Sequence, residues 1–495
     1  MSAAKPTMEE LDEMELPRSG GVAGWLQHVT KAASKWPGFY RAALARNRRR
    51  TIVLTIIVLV GLLYPLLYRF VLSGFSRSVF PLPLPDDTIM VFMLIFAALA
   101  LGLNIVIGFA GLLDLGYVAF YALGAYTAAF LSSPHWGALG INFHFATAAP
   151  DTIPGIHIPF WIIVFLAAGV AAIFGALLGA PTLRLRGDYL AIVTLGFGEI
   201  VPIIFKNLVN VNFELGPIKL ENANLTGGPL GINPIDPPDI FGIKFGASGG
   251  IAPVYLAMLI VLMCIIIARN LERSRMGRAW MAIREDELAA EMMGVNTVRT
   301  KLLAFALGAS FAGFAGALQA SYQGATTSDF FKFSTSILVV IMIILGGMGN
   351  IWGALAGALA LVYVDKTLLP YISQRSQEIG RALNWEDLAS FNVASLNFFI
   401  FGLILVTMMR LRPEGFFPSR QRAAELHHAP PTEAIGAAAL LDSDKADELE
   451  AEVLSDIEAA QAQHSQASSA ASLEEESDAA RAEDDPMAPG QGDPR

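Results

Sequence analysis

Apolar residues fall into blocks of about 20 along residues 51–409, with the polar residues gathered between them. A helix needs about 20 apolar residues to cross roughly 30 Å of hydrocarbon. Thr51–Leu72, Thr88–Gly111, Leu112–Ser132, Phe160–Ala180, Tyr189–Val209, Pro253–Ala268, Leu302–Gln323 and Val393–Met409 each predict one crossing. Ser334–Met348 and Ile351–Val364 are shorter, and Leu345-Gly-Gly-Met-Gly-Asn-Ile-Trp-Gly353 joins them. They read either as one long helix or as a hairpin of two short ones.

The placement of lysine and arginine decides that point, because cytoplasmic loops gather them. With the hairpin, 22 Lys and Arg fall on one side of a membrane and 9 on the other. A single helix would move Arg410, Arg412, Arg420 and Arg422 to the sparse side. The expected fold is therefore all-α: a polytopic membrane protein of about ten transmembrane helices, with both termini cytoplasmic. Residues 1–50 read as a polar cytoplasmic segment and 51–418 as the membrane domain. No secretory cleavage site follows the first block, so Thr51–Leu72 reads as an uncleaved anchor.

Composition agrees: 54% of residues are hydrophobic and only 16% charged, and mean hydropathy is +0.51. The net charge of −10 is misleading. Residues 442–495 hold 16 Asp and Glu against 3 Lys and Arg, so the remaining chain is slightly basic. Residues 419–495 predict an acidic, disordered cytoplasmic tail, too poor in apolar surface to offset its ordering entropy. Nucleic-acid binding and a disulfide scaffold both lose support, since the one cysteine, Cys264, has no intrachain partner.

The chemistry begins with absences. No Gly-Lys dipeptide occurs, so the phosphate cradle that an ATPase needs is missing. No metal-ligand constellation and no nucleophile motif appears either. No enzyme and no cofactor is expected in this chain, and any energy from ATP must come from another polypeptide.

The basic loop from Arg269 to Lys301 carries the strongest pattern. Trp280–Met293 contains neither Gly nor Pro, and Gly294 follows as a helix stop. Met281, Leu288 and Met292 share one stripe, while Arg284, Glu287 and Glu291 line another face. A short amphipathic helix over about 279–294 is expected, suited to docking in a partner's groove or to lying on the membrane.

Gly277–Asn296 strongly resembles the coupling segment of branched-chain amino-acid ABC permeases, the LivM-like branch. Leu288-Ala-Ala-x-x-x-Gly294 corresponds to the Glu-Ala-Ala-x-x-x-Gly pattern of many ABC importers. Leu183–Glu199, Leu225-Thr-Gly-Gly-Pro-Leu-Gly-Ile232, Leu345–Gly353 and Arg412-Pro-Glu-Gly-Phe-Phe417 match the family in order and spacing. The resemblance implies a permease subunit of an ABC importer in a bacterial inner membrane. Its implied partners are two cytoplasmic ATPases that bind the ATP, a second related permease and an external solute-binding protein. Met281, Arg284, Glu285, Asp286, Leu288, Ala289, Ala290 and Gly294 would then couple ATPase closure to the helices. The implied solutes are branched-chain or other amino acids, with urea and amides as alternatives.

Polar residues within the spans are candidates for the solute path, because a buried charge should face the bundle interior or water. Asn104, Asp114, Tyr117, Asp188 and Glu199 are the candidates. Asp114 lies in Gly108-Phe-Ala-Gly-Leu-Leu-Asp-Leu-Gly116, either a turn at the inner face or a re-entrant break. The family commonly has Ser and His where this chain has Asp114 and Tyr117. An ion-coupled secondary transporter using Asp114 or Glu199 is the rival reading, but it has no need of a docking helix at 279–294. Gly175 with Gly179, Gly313, and Gly349 with Gly353 and Gly357 are expected to let helices approach closely.

Overall fold

The computed structural model describes residues 61, 63–69, 83–145, 153–182, 188–209, 211–215, 218–240, 243–247, 250–412 and 415–417. The expectations for residues 1–50, for 419–495 and for most of Thr51–Leu72 lie outside these.

Thirteen α-helices follow among the described residues after position 83. They are α1 (Asp87–Leu103), α2 (Val118–Leu131), α3 (Phe160–Thr182), α4 (Asp188–Asn207), α5 (Ala252–Arg273), α6 (Arg275–Glu285) and α7 (Glu287–Met292). Then come α8 (Thr297–Gln323), α9 (Phe333–Gly346), α10 (Ile351–Tyr363), α11 (Leu369–Ala382), α12 (Glu386–Ser390) and α13 (Asn397–Leu411). Two π-helical turns, Asn104–Phe109 and Val364–Leu368, extend α1 and α10. Seven described helices are long and apolar enough to cross a membrane, and α2 and α9 are shorter apolar helices. The chain is a multi-pass, all-α membrane protein, as its hydrophobic pattern requires.

Short polar side chains start these helices. Asp86 accepts from the Ile89 amide at 2.8 Å, Asn296 from Arg299 at 2.9 Å and Asn350 from Trp352 at 3.0 Å. Each satisfies one of the amides that a helix start leaves unpaired. The break that the hairpin reading of residues 334–364 requires is present, but only the first arm is short: α10 continues through the π-helical turn into α11, one span over Ile351–Ala382. α9 stops at Gly347, whose φ of 115° suits glycine, and α10 starts afresh after Asn350.

The central element is α8, mostly buried among α1, α2 and α3. Small residues make this possible. A Cβ built on Gly313 would lie 2.6 Å from the Ala167 carbonyl, and one on Gly124 would lie 2.6 Å from Gly313 itself. One on Gly175 would lie 2.6 Å from the Ala309 methyl, and Gly179 faces Leu302 at 3.2 Å. Gly353 and Gly357 bring α10 against α9 in the same way. Gly349 differs from the expectation of a helix-packing glycine. Its φ is 78° and it sits in the turn, since Asn350 has already begun the next helix. At the periphery, α4 and α13 leave most of their surface uncovered.

Seven short strands lie at the end of the bundle opposite the basic 269–301 segment. They are β1 (Ser132–Ser133), β2 (Phe143–His144), β3 (Ile156–His157), β4 (Val211–Leu215), β5 (Ile218–Ala223), β6 (Asp239–Ile240) and β7 (Ile243–Lys244). β3 is flanked by β1 and β2, while β4–β5 and β6–β7 are antiparallel pairs. Between β5 and β6, Leu225–Ile232 turns through left-handed Gly227, Gly228 and Gly231. The amide of Asp236 then bonds Ser132 O at 2.7 Å, and its carboxylate meets buried His157 Nδ1 at 2.5 Å. With the Ile235 amide on Gly324 O at 2.8 Å, these contacts pin the strand-bearing end to the tops of α2 and α8.

Candidate functional site

The 269–301 segment forms two helices rather than one. Asp286 leaves the helical region (φ −152°, ψ 112°) and caps α7, its Oδ1 accepting from Leu288 N at 2.8 Å and Ala289 N at 3.0 Å. The expectation of one helix over 279–294 is corrected here. A carboxylate that satisfies two free amides outweighs two missing helical bonds at a solvated position. Gly294 ends α7 with φ 86°. Its amide reaches Glu291 O and that of Val295 reaches Ala290 O, the paired closure of a left-handed helix stop.

α6 packs Gly277, Trp280 and Ile283 against the protein and keeps Arg278 and Glu285 exposed, while α7 leaves an apolar patch uncovered. Trp280 is fully buried, and its Nε1 donates to Thr300 O at 2.7 Å. Lys301, almost buried, pairs with Glu287 at 2.6 Å. Arg284 donates to the Gly108 carbonyl at 2.6 Å. Meanwhile Leu288, Met292 and Met293 are 57%, 83% and 85% exposed. Met281 is half-buried, Ala290 buried, and Glu285 and Ala289 exposed.

Arg284 reaches the first of two helix breaks. Gly108 lies in the π-helical turn at the end of α1, where the backbone leaves the regular ladder. Next to it, Gly111 has φ 70°, and a Cβ there would lie 2.6 Å from Arg284 Cγ. Asn104 is buried at the start of the same turn and accepts from Gly349 N at 2.9 Å, so the two breaks meet. The closing segment straps the second break. Phe416 and Phe417 amides donate to Leu345 and Gly346 carbonyls, each at 2.9 Å, and Asn350 Nδ2 donates to Phe417 O.

Residues 110–117 run without helix between the turn and α2. Asp114 is buried inside this stretch. Its Oδ1 accepts from Gly116 N at 2.9 Å, while Oδ2 has no hydrogen-bond partner among the described residues. Thr194 on α4 holds the stretch by accepting from Leu115 N at 3.1 Å, and Ser336 on α9 accepts from Val118 N at 3.0 Å. Gly116 and Gly198 bring this stretch and α4 within backbone contact. Four residues on, Pro202 has no amide to bond the Gly198 carbonyl, which loosens α4 there.

The other candidates separate. Tyr117 is buried in the crossing of α1 and α8, its hydroxyl donating to Gly308 O at 2.9 Å, so it anchors packing. Glu199 lies mid-helix on the uncovered face of α4, beside exposed Ile192, Ile200 and Ile203. Asp188 opens α4 as its first residue. Sequence reasoning missed Thr194, Ser336, Lys301 and the Trp280 bond. None of these carries a local motif, and each acts across a fold contact. Among the described residues no group of three or more His, Cys, Asp or Glu side chains could hold a metal.

Comparison with known proteins agrees with this arrangement. The family described as branched-chain amino acid transport system / permease component matches residues 87–409. The high-affinity branched-chain amino acid transport system permease protein LivM of Salmonella typhimurium is 38% identical over 346 residues, covering 66% of this chain and 68% of that protein. A probable LivM of Methanocaldococcus jannaschii is 23% identical over 66% of this chain and 91% of its own. The LivH permease protein of Salmonella typhimurium is 30% identical over 28% of this chain and 46% of its own. No solved structure matches the chain. Family model and relatives converge: the chain belongs to the branched-chain amino acid transport permease family.

Proposed function

We propose that this protein is the membrane subunit through which an ABC importer brings branched-chain amino acids into a bacterial cell. It does no chemistry of its own and draws on two ATPase subunits that bind ATP. A second permease related to LivH completes the membrane part, and an external binding protein delivers the solute. The basic end faces the cytoplasm, following the lysine and arginine bias. Nothing in the fold or the relatives favours an ion-coupled transporter or a urea and amide permease.

One observation carries the coupling role: α7, held through Trp280 on α6 and the Glu287–Lys301 pair, leaves Leu288, Met292 and Met293 bare. Solvated helices do the opposite. An apolar stripe held outward by Trp280, Arg284 and Glu287 fits a groove on a soluble partner. Closure of the ATPases would then move α6 as a unit and pull on Gly108. That shifts the population between two packings of the breaks. Glu199 supports the membrane pairing. A carboxylate on a bare mid-membrane face costs at least about 2.5 kcal/mol, so water or the second permease should cover it.

The test is the double variant Leu288→Ser, Met292→Ser. Loss of two anchors should cut ATPase-subunit copurification and leucine uptake by roughly tenfold or more, with membrane insertion unchanged. Full uptake and normal copurification would refute the docking role.

A further inference from the structure

We infer that α2, α3 and α4 line a binding site for the solute in this subunit, taking the aliphatic side chain in an open apolar groove and the ammonium at Asp114. This rests on the amino-acid importer reading and locates the solute within it.

Two adjoining spaces carry the inference. The larger is a groove of about 500 Å³ lined by Leu123, Tyr126, Val170, Phe174, Phe197 and Val201, among others. That volume is within the roughly 300–1,000 Å³ of small-molecule sites. Its walls are apolar, and the Tyr126 hydroxyl beside it is buried without a hydrogen-bond partner among the described residues. The smaller space is about 10 Å³ and is lined by Asp114, Gly116, Phe120, Thr194 and Phe305. Leu178 and Phe197 line both spaces, so they form a shared wall.

Size and charge together select the ligand. About 10 Å³ holds one water-sized group. An ammonium fits there, and a whole amino acid does not. Asp114 Oδ2 offers the missing acceptor, since an unpaired buried carboxylate oxygen is costly until a donor arrives. The rest of the molecule must lie across Phe197 and Leu178, where the groove is apolar apart from the Tyr126 and Thr127 hydroxyls. A branched aliphatic side chain gains from that contact, and a charged or amide side chain would lose its hydration. Gly116 against Gly198 sets the depth at which α4 closes over Asp114, and the proline-loosened part of α4 borders the groove. Opening of α4 would admit the solute to both spaces at once.

The experiment is equilibrium binding of radiolabelled leucine to the complete transporter in phospholipid nanodiscs, without the solute-binding protein. Asp114→Asn keeps the Gly116 contact but removes the charge, and should weaken leucine binding by roughly 30-fold or more. Val201→Trp fills the groove and should weaken it by roughly 10-fold or more. The deaminated analogue 4-methylpentanoate should compete poorly with leucine at the wild-type site, and that gap should close in Asp114→Asn. Wild-type affinity in both variants, or no saturable binding because lipid or the second permease fills the groove, would overturn the site. Binding-protein-dependent leucine uptake by the wild-type transporter is measured in parallel. Uptake without these effects refutes the site alone, whereas no amino-acid uptake at all refutes the importer reading beneath it.

Discussion

A methyl group at Gly313 would have to enter the backbone of α3, where the Ala167 carbonyl and Ala168 Cα stand 2.6 and 2.7 Å from its position. At Gly169, on the open side of α3, the same methyl would meet nothing within 4 Å. Gly313→Ala should therefore cost about 1–3 kcal/mol through overpacking and lower the Tm of the purified protein. Gly169→Ala should leave the Tm unchanged or raise it, and equal effects at both sites would contradict the packing described. Glycine spacing made Gly175, Gly179, Gly353 and Gly357 readable as contact points. It did not separate Gly349, because a turn glycine and a helix glycine look alike at i, i+4. The Asn104 bond to Gly349 was out of reach for the same kind of reason: 245 positions separate its partners, and no local pattern marks them.

The elements show where hydrophobic periodicity stops informing. It found the spans because each apolar block is long, and it merged α6 with α7 because a charge between two helical turns does not interrupt a stripe. Asp286 followed by Glu-Leu-Ala-Ala is a helix-start signal in its own right, and capping preference would have located the break. Asp286→Ala removes the one acceptor that both amides share and should destabilise α7 by about 1 kcal/mol. Hydrogen exchange should accelerate at residues 287–292 and stay unchanged over α6, which is fixed by Trp280 and Arg284. Uniform exchange across 275–292 would mean that the two helices move as one. Under the proposed docking role, a rigid α6 beside a separately hinged α7 would let the docked stripe adapt while Arg284 keeps its hold on Gly108.

At the scale of the molecule, four distant stretches meet at the basic end: the π-turn after α1, the α9–α10 turn, α6 and the strap at 415–417. Charge bias predicted which loops share that side, and the hairpin it required is present. It could not predict that they touch. The strap is the last of these to be synthesised, and its two amides complete carbonyls that the end of α9 leaves open. A chain ended after Leu411 should lose uptake and melt at lower temperature than one ended after Pro418. Equal behaviour of the two would show that the strap is dispensable.

The short helix α2 has a consequence for permeation. Fourteen residues rise only about 21 Å, against roughly 30 Å of hydrocarbon. The missing 9 Å or so must be made up at its ends, and any of the non-helical 110–117 stretch that lies within the hydrocarbon must be solvated or covered by protein. The barrier that a solute has to traverse is therefore thinner than the bilayer around it. If the solute binds at Asp114 as inferred above, a molecule leaving it toward the basic end would already have passed most of the insulating layer and would need the breaks to part by only a short distance.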